Sequence, residues 1–324
     1  MSTMNVYAIP LLQENLSLIE DRMRSRVSPQ HLPDLRAALD HLLSAGGKRI
    51  RPTVIVLAGT MLGAPREKII SLGAAVEMLH TATLVHDDLI DGALLRRGMP
   101  TLNARWSPAA TVLTGDYLFA CAAHLAAEIG SLEIMEVFSE TLMVIVNGEL
   151  SQLFGGRGLW SREHYYQRIY AKTASLFEMS TRSVGLISSM ERREVELLAE
   201  MGHHIGMAFQ IMDDVLDFTS EQLALGKPVG SDLRQGLITL PAIYYIEEYP
   251  DDPYVRALLR GEWQDEKVVN RLIEAIRNSQ ALKQAQEEAR YYASQALDIL
   301  HGFPMCSERQ ALEEIIHFVV ERNV

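Results

Sequence analysis

The sequence predicts an all-α fold, one large helical bundle formed by a single domain of residues 1–324. Apolar residues recur at spacings of three and four along most of the chain, which is the pattern of amphipathic helices. Runs in which Val and Ile alternate with polar residues, the pattern of half-buried strands, are missing. No linker rich in Pro, Gly and Ser divides the chain, so we expect one domain.

The individual helices follow from this period and from the residues that stop them. Leu12 and Ile19 recur at the helical spacing after Pro10, and Gly46-Gly47 is a stop signal for the second helix. Thr111–Ala127 is apolar on most sides, which is typical of a central helix in a bundle. The predicted helices are Pro10–Val27, Pro33–Ala45, Arg51–Leu62, Glu67–Asp91, Ala109–Ile129, Leu132–Phe154, Arg162–Ile187, Arg192–Phe218, Leu233–Glu248, Glu266–Arg277, Ala281–Leu300 and Glu308–Glu321.

The composition is that of a soluble globular protein, with 48% hydrophobic and 22% charged residues. A net charge of −12 argues against a nucleic-acid surface, so we expect no nucleic-acid partner. No uninterrupted apolar run reaches the ~20 residues that span a bilayer, which predicts no transmembrane segment. Cys121 and Cys306 form no Cys-x-x-Cys pair, and no secretory leader is evident, so we expect a cytoplasmic location.

Two aspartate clusters with the spacing Asp-Asp-x-x-Asp are the main functional signal. They consist of Asp87, Asp88 and Asp91, and of Asp213, Asp214 and Asp217. Both clusters lie in apolar helical stretches, where residues four apart share one face and like charges repel. A single such cluster is more often a solvated surface patch, but carboxylates in apolar surroundings rarely lack partners. Because Mg²⁺ binds one or two carboxylates together with substrate phosphates, two facing clusters could hold several Mg²⁺ ions around one diphosphate.

Basic residues near the first cluster are candidates for binding anionic oxygens. Lys48 and Arg51 lie near a predicted helix start, where the helix dipole disfavours positive charge, so a purely structural interpretation has a cost. Arg96 and Arg97 follow the first cluster directly, although an isolated Arg-Arg pair is a solvated surface pair in most proteins. Lys offers a point charge and Arg a planar fork, both of which suit phosphate oxygens.

His80 and three further residues complete the set of candidates. His80 lies seven residues before Asp87, on about the same helical face. A lone His there is more often a hydrogen-bonded core residue, but a nearby anion site favours phosphate contact. Lys172-Thr173 and Lys227 are weaker signals on their own.

The order of these segments resembles the trans-isoprenyl diphosphate synthases over about residues 44–241. The segments that carry the resemblance are Gly46-Gly47-Lys48-Arg49-Ile50-Arg51-Pro52, Glu77 to Asp91, Arg96-Arg97-Gly98, Gly115-Asp116, Lys172-Thr173, Phe209 to Asp214 and Gly226 to Leu233. The resemblance implies an isoprenoid synthase fold with a deep central cavity, usually as a homodimer. It also implies Mg²⁺-dependent head-to-tail condensation of isopentenyl diphosphate with an allylic diphosphate. The released diphosphate would accept the proton, so the resemblance requires no protein base.

The resemblance further assigns roles to single residues. Metal binding is implied for Asp87, Asp88, Asp91, Asp213, Asp214 and Asp217. Binding of isopentenyl diphosphate is implied for Lys48, Arg51, His80 and Arg97. Binding of the allylic diphosphate is implied for Arg96, Lys172, Thr173, Gln210 and Lys227. Catalytic stabilisation of the departing diphosphate is implied for Asp87, Asp91, Arg96, Lys172 and Asp213.

Product length is predicted from the residues four and five positions before Asp87. These are Thr83 and Ala82, both small, whereas short-chain members of the family often carry aromatic rings there. An open apolar tunnel gains roughly 25 cal/mol per Å² of buried surface as the chain grows. We therefore expect an all-trans heptaprenyl to decaprenyl diphosphate, and the alternative is a shorter-chain geranylgeranyl or farnesyl diphosphate synthase.

One position departs from the family pattern. Leu237 stands in Gly236-Leu237-Ile238-Thr239 where the family often has Lys, which removes one diphosphate contact. A terpene cyclase would leave the cations for a second diphosphate unexplained. A non-catalytic lipid-binding or regulatory subunit would be expected to lose aspartates, and all six are present. A catalytic subunit that needs a separate small partner stays open as an alternative.

Overall fold

The structure, a computed structural model, describes residues 9–27, 33–44, 49–96, 98–154, 161–219 and 229–322. Lys48, Arg97 and Lys227 lie outside the described residues, so their roles stay predictions. The stop signal predicted at Gly46-Gly47 also lies outside them.

Nearly all of the described chain is helical, which confirms the predicted all-α class. The helices are α1 Pro10–Arg26, α2 Pro33–Ser44, α3 Ile50–Met61, α4 Arg66–Ile90, α5 Pro108–Ala127, α6 Leu132–Phe154, α7 Arg162–Ile169, α8 Ser175–Ile187, α9 Arg192–Thr219, α10 Ser231–Arg234, α11 Leu240–Glu248, α12 Pro253–Leu259, α13 Glu266–Asn278, α14 Ala281–His301 and α15 Ser307–Glu321. A π-helical turn, Tyr170–Ala174, joins α7 to α8. A short antiparallel hairpin, β1 Leu95–Arg96 and β2 Met99–Pro100, follows α4.

The chain forms two compact units. The first consists of Met1–Glu140, Met179–Ala199 and Phe303–Ile315. The second consists of Thr141–Glu178, Glu200–Gly302 and Ile316–Val324. The expectation of one domain over residues 1–324 stays a prediction.

Helix α4 is the core element of the first unit. It is buried on every side from Ile69 to Leu79, and it packs against α1, α3 and α5. Glu77 in this stretch is only 6% exposed, and Arg49 Nη1 donates to its Oε1 at 2.5 Å. Arg49 Nε also donates to Glu20 Oε1 of α1 at 3.2 Å. A buried carboxylate needs such a partner, so Arg49, which carries no predicted role, joins three helices of this unit.

Among the described residues, α4 and α5 are long and apolar enough to cross a membrane by length and composition alone. In the most apolar 18-residue stretch of α4, 78% of the stretch is buried inside the protein, and in the corresponding stretch of α5 44% is buried. Because the core helix of a soluble protein passes the same test, the two helices are weak evidence for a membrane span.

The predicted helix Leu233–Glu248 is wrong as a single element, because it is divided into α10 and α11. Gly236 lies between the two with a φ of +79°, a left-handed backbone that ends a helix. Pro241 then occupies the first turn of α11, a position that suits its fixed φ. Helix α12 was not predicted, and it begins where the Asp252 carboxylate accepts from Tyr254 N at 2.7 Å.

Candidate functional site

The first aspartate cluster lies at the C-terminal end of α4. Asp87 is half-buried, and Asp91, which caps the helix, is exposed. Asp88 is only 6% exposed and accepts a hydrogen bond from Arg96 Nε at 2.8 Å. Burial raises the pKa of Asp88, and the Arg96 guanidinium opposes that rise. Asp88 therefore anchors Arg96 within the cluster, while Asp87 and Asp91 line the more open face.

Arg96 reaches the cluster from the hairpin that follows α4. Leu95 pairs with Pro100 and Arg96 with Met99, and Gly98 forms the tight turn with a φ of +74°. A positive φ favours glycine, so the turn explains the Gly after the two arginines. The hairpin thus brings Arg96 to the first cluster. The sequence placed Arg96 near this cluster but did not predict its contact with Asp88.

Helix α4 also carries His80 on the same side as the cluster. His80, Thr83, Asp87 and Asp91 follow one another at spacings of three and four, so they form one stripe along the helix. His80 is half-buried, and Thr83 Oγ1 donates to its backbone oxygen at 2.8 Å. Arg51 is half-buried in the first turn of α3 within the same unit. The predicted binding of isopentenyl diphosphate by His80 and Arg51 stays a prediction.

Gly115 explains how closely α5 approaches α4 beside the cluster. A Cβ on Gly115 would lie 2.2 Å from His86 Nε2, a distance that no packed structure allows. His86 Nε2 also lies 3.1 Å from the backbone oxygen of Val112. His86, for which no role was predicted, therefore packs against α5 one residue before Asp87.

Asp213 of the second cluster is paired with a buried arginine that directly follows the last helix, α15. Arg322 Nη2 lies 2.7 Å from Asp213 Oδ1 and also donates to the Phe209 backbone oxygen at 2.7 Å. The guanidinium lies 4.1 Å from the centre of the Phe209 ring. Arg322 is 7% exposed, so this cation neutralises Asp213 from inside the protein. Sequence reasoning missed Arg322 because no motif surrounds it.

Asp214 is the centre of a buried hydrogen-bond network. Tyr165 of α7 donates its hydroxyl to Asp214 Oδ2 at 2.7 Å, and Gln210 Nε2 donates to Oδ1 at 2.8 Å. Thr173 Oγ1 in turn donates to Gln210 Oε1 at 2.6 Å. Burial, followed by the nearby Asp232 carboxylate, raises the pKa of Asp214 well above its ordinary value. The structure therefore brings together three predicted residues, Thr173, Gln210 and Asp214, and adds Tyr165.

Asp217 holds the start of α10. Its Oδ1 accepts from Ser231 N at 3.1 Å and from Ser231 Oγ at 2.7 Å, and its Oδ2 accepts from Asp232 N at 3.2 Å. A carboxylate that satisfies the first N–H groups of a helix stabilises that helix. The oxygens of Asp217 are thus already bonded to protein donors, and its role in metal binding stays a prediction.

Lys172 and Thr173 lie in the π-helical turn. Such turns are rare in proteins, and those that occur are often found at functional sites. Lys172 Nζ lies 3.0 Å from Glu149 Oε1 of α6. Glycines on two neighbouring helices allow the turn to pack closely. A Cβ on Gly148 would be 2.5 Å from Ala171 Cβ, and one on Gly206 would be 2.4 Å from Ala174 Cα.

Replacing Gly206 with Ala is expected to destabilise the protein by about 1–3 kcal/mol, because the added Cβ meets backbone that cannot move aside. The control is Gly59→Ala, where the added Cβ meets only the Ile69 side chain at close range, Cγ1 at 2.8 Å and Cδ1 at 2.9 Å, and no backbone atom. That side chain can shift, and Ala favours a helix by about 1 kcal/mol. Urea unfolding of both variants tests the prediction, and equal midpoints would contradict it.

Leu237 lies beside a cation from another helix of the second unit. It is half-buried, and its N–H donates to the Asp232 backbone oxygen at 2.9 Å. Arg168 Nη2 of α7 donates to the backbone oxygen of the next residue, Ile238, at 2.9 Å. A positive charge is therefore present next to the position where the expected lysine is missing.

The carboxylates suit Mg²⁺ only if a substrate supplies further oxygens. Within the described ranges, no group of three or more His, Cys, Asp or Glu side chains is arranged to hold a metal ion by itself. Asp87, Asp91 and Asp213 offer the hard oxygen ligands that this ion prefers. Since Mg²⁺ commonly combines one or two carboxylates with waters and phosphate oxygens, the residues fit the ion together with a diphosphate.

Comparisons with known proteins agree with this chemistry. Residues 33–276 match the family described as Polyprenyl synthetase. The chain is 36% identical over 313 residues to heptaprenyl diphosphate synthase component 2 of Geobacillus stearothermophilus, covering 96% of this chain and 97% of that protein.

Two solved structures share the fold. Heptaprenyl diphosphate synthase from Staphylococcus aureus superposes with a TM-score of 0.90 at 32% identity, covering 97% of this chain and 99% of that one. Polyprenyl synthase from Caulobacter crescentus, complexed with calcium and isoprenyl diphosphate, superposes with a TM-score of 0.89 at 34% identity, covering 98% and 97%. These structures confirm the predicted isoprenoid synthase type of fold.

Proposed function

Because the chain belongs to the polyprenyl synthetase family and is a prenyltransferase of the long-chain polyprenyl diphosphate synthase type, we propose that it acts with Mg²⁺ and makes a heptaprenyl to decaprenyl diphosphate. The substrates would be isopentenyl diphosphate and an allylic diphosphate. The observation that carries the proposal is the pair of complete aspartate clusters on α4 and α9, each with a basic residue bound to it. That arrangement suits a reaction whose substrates and leaving group are diphosphates.

Bound Mg²⁺ would supply positive charge that neutralises the departing diphosphate. The chain itself contributes cations and carboxylates at fixed positions. Arg96, anchored on Asp88, and Lys172, in the π-helical turn, would bind the allylic diphosphate. Their charge favours cleavage of the allylic C–O bond, whose electron pair leaves with the diphosphate. The double bond of isopentenyl diphosphate then attacks the allylic carbocation, and the released diphosphate takes the proton.

Binding of isopentenyl diphosphate is proposed for Arg51 and His80, together with Lys48 and Arg97. Arg51 and His80 are half-buried in the first unit, on α3 and α4. The half-buried Arg51 cation keeps more of its electrostatic attraction than an exposed one because water screens it less, and the His80 ring can donate a hydrogen bond to a phosphate oxygen. We propose Asp87, Asp91 and Asp213 as the main metal ligands, with Asp88, Asp214 and Asp217 in supporting positions.

The proposal is tested by a product assay on the full chain alone. The protein would receive Mg²⁺, labelled isopentenyl diphosphate and farnesyl diphosphate, and the dephosphorylated products would be sized. A ladder that ends between heptaprenyl and decaprenyl, and that chelation of Mg²⁺ abolishes, is expected. A ladder ending at geranylgeranyl would contradict the chain length. No incorporation by folded protein would contradict a self-sufficient enzyme.

A partner-dependent subunit is the second candidate. The relative from Geobacillus stearothermophilus is called component 2, which is the observation in favour of a separate partner. The presence of all six aspartates favours a catalytic chain, whether it acts alone or with a partner subunit. Adding a candidate small subunit to an inactive preparation separates the two, because activity would appear only with the partner.

A homodimer is proposed from an exposed apolar stripe on the C-terminal half of α6. The exposed residues lie at helical spacing on one side: Met143, Val146, Leu150, Leu153 and Phe154. Phe154 is 84% exposed, and a row of exposed apolar residues on one helix side is typical of a protein–protein interface. A second copy of the chain would cover this stripe. A cytoplasmic location of the dimer is also proposed.

Leu150→Glu is expected to convert the dimer to a monomer, because a charge buried in an apolar interface costs several kcal/mol. Met305→Glu is the control, since Met305 is an equally apolar residue that is 62% exposed between α14 and α15. Sedimentation velocity measures both variants. A Leu150→Glu protein that stays dimeric would place the interface elsewhere.

A further inference from the structure

Tyr165 is buried in the second unit and is bonded to an aspartate of the second cluster. Its side chain is 2% exposed, and its hydroxyl donates to Asp214 Oδ2 at 2.7 Å. Asp214 is itself 3% exposed. A phenylalanine ring would fill the same space but would leave a buried carboxylate oxygen without its donor, which is costly. The hydroxyl of Tyr165 therefore does something that packing alone does not require.

Two cross-links join the helical segment of Tyr165 to α9. One is the Tyr165–Asp214 hydrogen bond, and the other runs from Thr173 Oγ1 to Gln210 Oε1 at 2.6 Å. Gln210 Nε2 connects the two along α9 by donating to Asp214 Oδ1 at 2.8 Å. Because the contacts are made at two levels, neither segment can slide or rotate against the other without breaking one of them.

The same network includes both oxygens of Asp214. Each accepts a hydrogen bond from a protein donor, so Asp214 holds the helices and is not presented as an open ligand. The network adjoins two groups that the proposed function needs: Asp213 precedes Asp214 on α9, and Lys172 precedes Thr173 in the π-helical turn. By holding the two segments together, Asp214 sets the distance between the Asp213 carboxylate and the Lys172 ammonium group, which would serve the allylic diphosphate.

We propose that Tyr165 is a positioning residue of the second cluster: its hydroxyl, through Asp214, holds Asp213 and the Lys172-Thr173 turn in place for a divalent cation and an allylic diphosphate. This inference rests on the proposed function for the identity of the substrate. The contacts on which it depends are those of the second unit alone.

The next residue offers a matched control. Tyr166 is half-buried, and its hydroxyl is bonded to Glu288 of α14 and not to Asp214. Tyr165→Phe and Tyr166→Phe each remove one hydroxyl that is bonded to a carboxylate, from adjacent positions on one helix. Tyr165 is the more deeply buried of the two, so urea unfolding of both variants is measured to separate a general loss of stability from a change at the second cluster.

The experiment compares the two variants in the full chain. Mn²⁺ is titrated by electron paramagnetic resonance in the presence of inorganic diphosphate, and KM is measured for farnesyl diphosphate and for isopentenyl diphosphate. Tyr165→Phe is expected to weaken Mn²⁺ binding and raise the KM for farnesyl diphosphate, each about tenfold, the effect of leaving one buried acceptor without its donor. The KM for isopentenyl diphosphate and all values for Tyr166→Phe should stay near those of the parent protein.

Asp214→Asn keeps the inference testable if Tyr165→Phe fails to fold. The amide can donate to the Tyr165 hydroxyl and accept from Gln210, so the network survives, whereas Asp214→Ala removes both hydrogen bonds. Asp214→Asn is therefore expected to keep about tenfold more Mn²⁺ affinity than Asp214→Ala. Equal losses in the two variants would mean that Asp214 is a direct ligand, which overturns the inference. Equal effects of Tyr165→Phe and Tyr166→Phe would also overturn it.

Failure of the proposed function would be seen separately. A parent protein that makes no prenyl product, but whose Mn²⁺ binding is weakened by Tyr165→Phe and not by Tyr166→Phe, would refute the proposed activity. The positioning of the second cluster by Tyr165 would then be supported by the metal binding alone.

Discussion

Asp87→Ala is expected to abolish synthesis of the polyprenyl product while leaving the fold intact. Asp87 is a half-buried carboxylate on the same side of α4 as Asp91 and His80. Metal-assisted charge stabilisation is worth several kcal/mol in a transition state, and each ~1.4 kcal/mol corresponds to a factor of ten in rate. The loss should therefore be at least about 10³-fold in kcat/KM, measured by incorporation of labelled isopentenyl diphosphate.

The stability of the same variant should change little. Like charges four residues apart on a helix repel by roughly 0.2–0.5 kcal/mol, and Ala is the best helix former. Glu67→Ala is the control, since Glu67 begins the same helix with a side chain that is 78% exposed in a surface ion pair with Arg22. Both variants should unfold near the parent midpoint, and only Asp87→Ala should lose activity. More than a tenth of the parent activity in Asp87→Ala would contradict a role in metal binding.

Ala82→Phe is expected to shorten the product to geranylgeranyl diphosphate or a similar chain. Ala82 lies five residues before Asp87 and is fully buried in α4. If the product tunnel implied by the family resemblance runs along this part of α4, an aromatic ring there would block it, so the growing chain would meet the ring after fewer additions. Because the site is fully buried, the ring should also cost about 1–3 kcal/mol of stability through overpacking. Sizing of the dephosphorylated products measures the effect.

Thr83→Phe gives the comparison along the same helix turn. Thr83 lies one turn before Asp87 on the same face and is half-buried, so a ring there meets less crowding. Ala58→Phe controls for overpacking alone, since Ala58 is a fully buried residue of α3. The control should lose stability and keep the parent product length. An unchanged product in both Ala82→Phe and Thr83→Phe would refute the idea that this part of α4 limits chain length.

The amino-acid sequence was sufficient for the helical class and for the local geometry of the first cluster. Periodicity alone predicts α4 and α9 to within a few residues, because the 3.6-residue period is a property of the backbone. The same period places His80, Asp87 and Asp91 on one side of α4, as the structure shows. The break at Gly236 was missed, because the flanking apolar residues continue the helical pattern on both sides.

No pattern in the sequence predicted the contacts that join distant parts of the chain. Arg322 and Asp213 are more than a hundred residues apart, and Tyr165 lies in an otherwise ordinary helical segment far from Asp214. Such pairs depend on which helices pack together and at which angle, and these features follow from the side chains of both partners. The anchoring of Arg96 on Asp88 joins residues only eight positions apart, and it was not foreseen because it depends on the hairpin that follows α4.

By itself, the sequence determined the fold class, the two aspartate clusters and the family to which they belong, because these are local or ordered features of one chain. Only the tertiary structure decided how the carboxylates differ. Asp87 and Asp91 line the more open face of α4, Asp214 is buried between two donors, and Asp217 holds the start of α10. The physical reason is that burial and hydrogen bonding, which set the charge and availability of each carboxylate, arise only when helices pack.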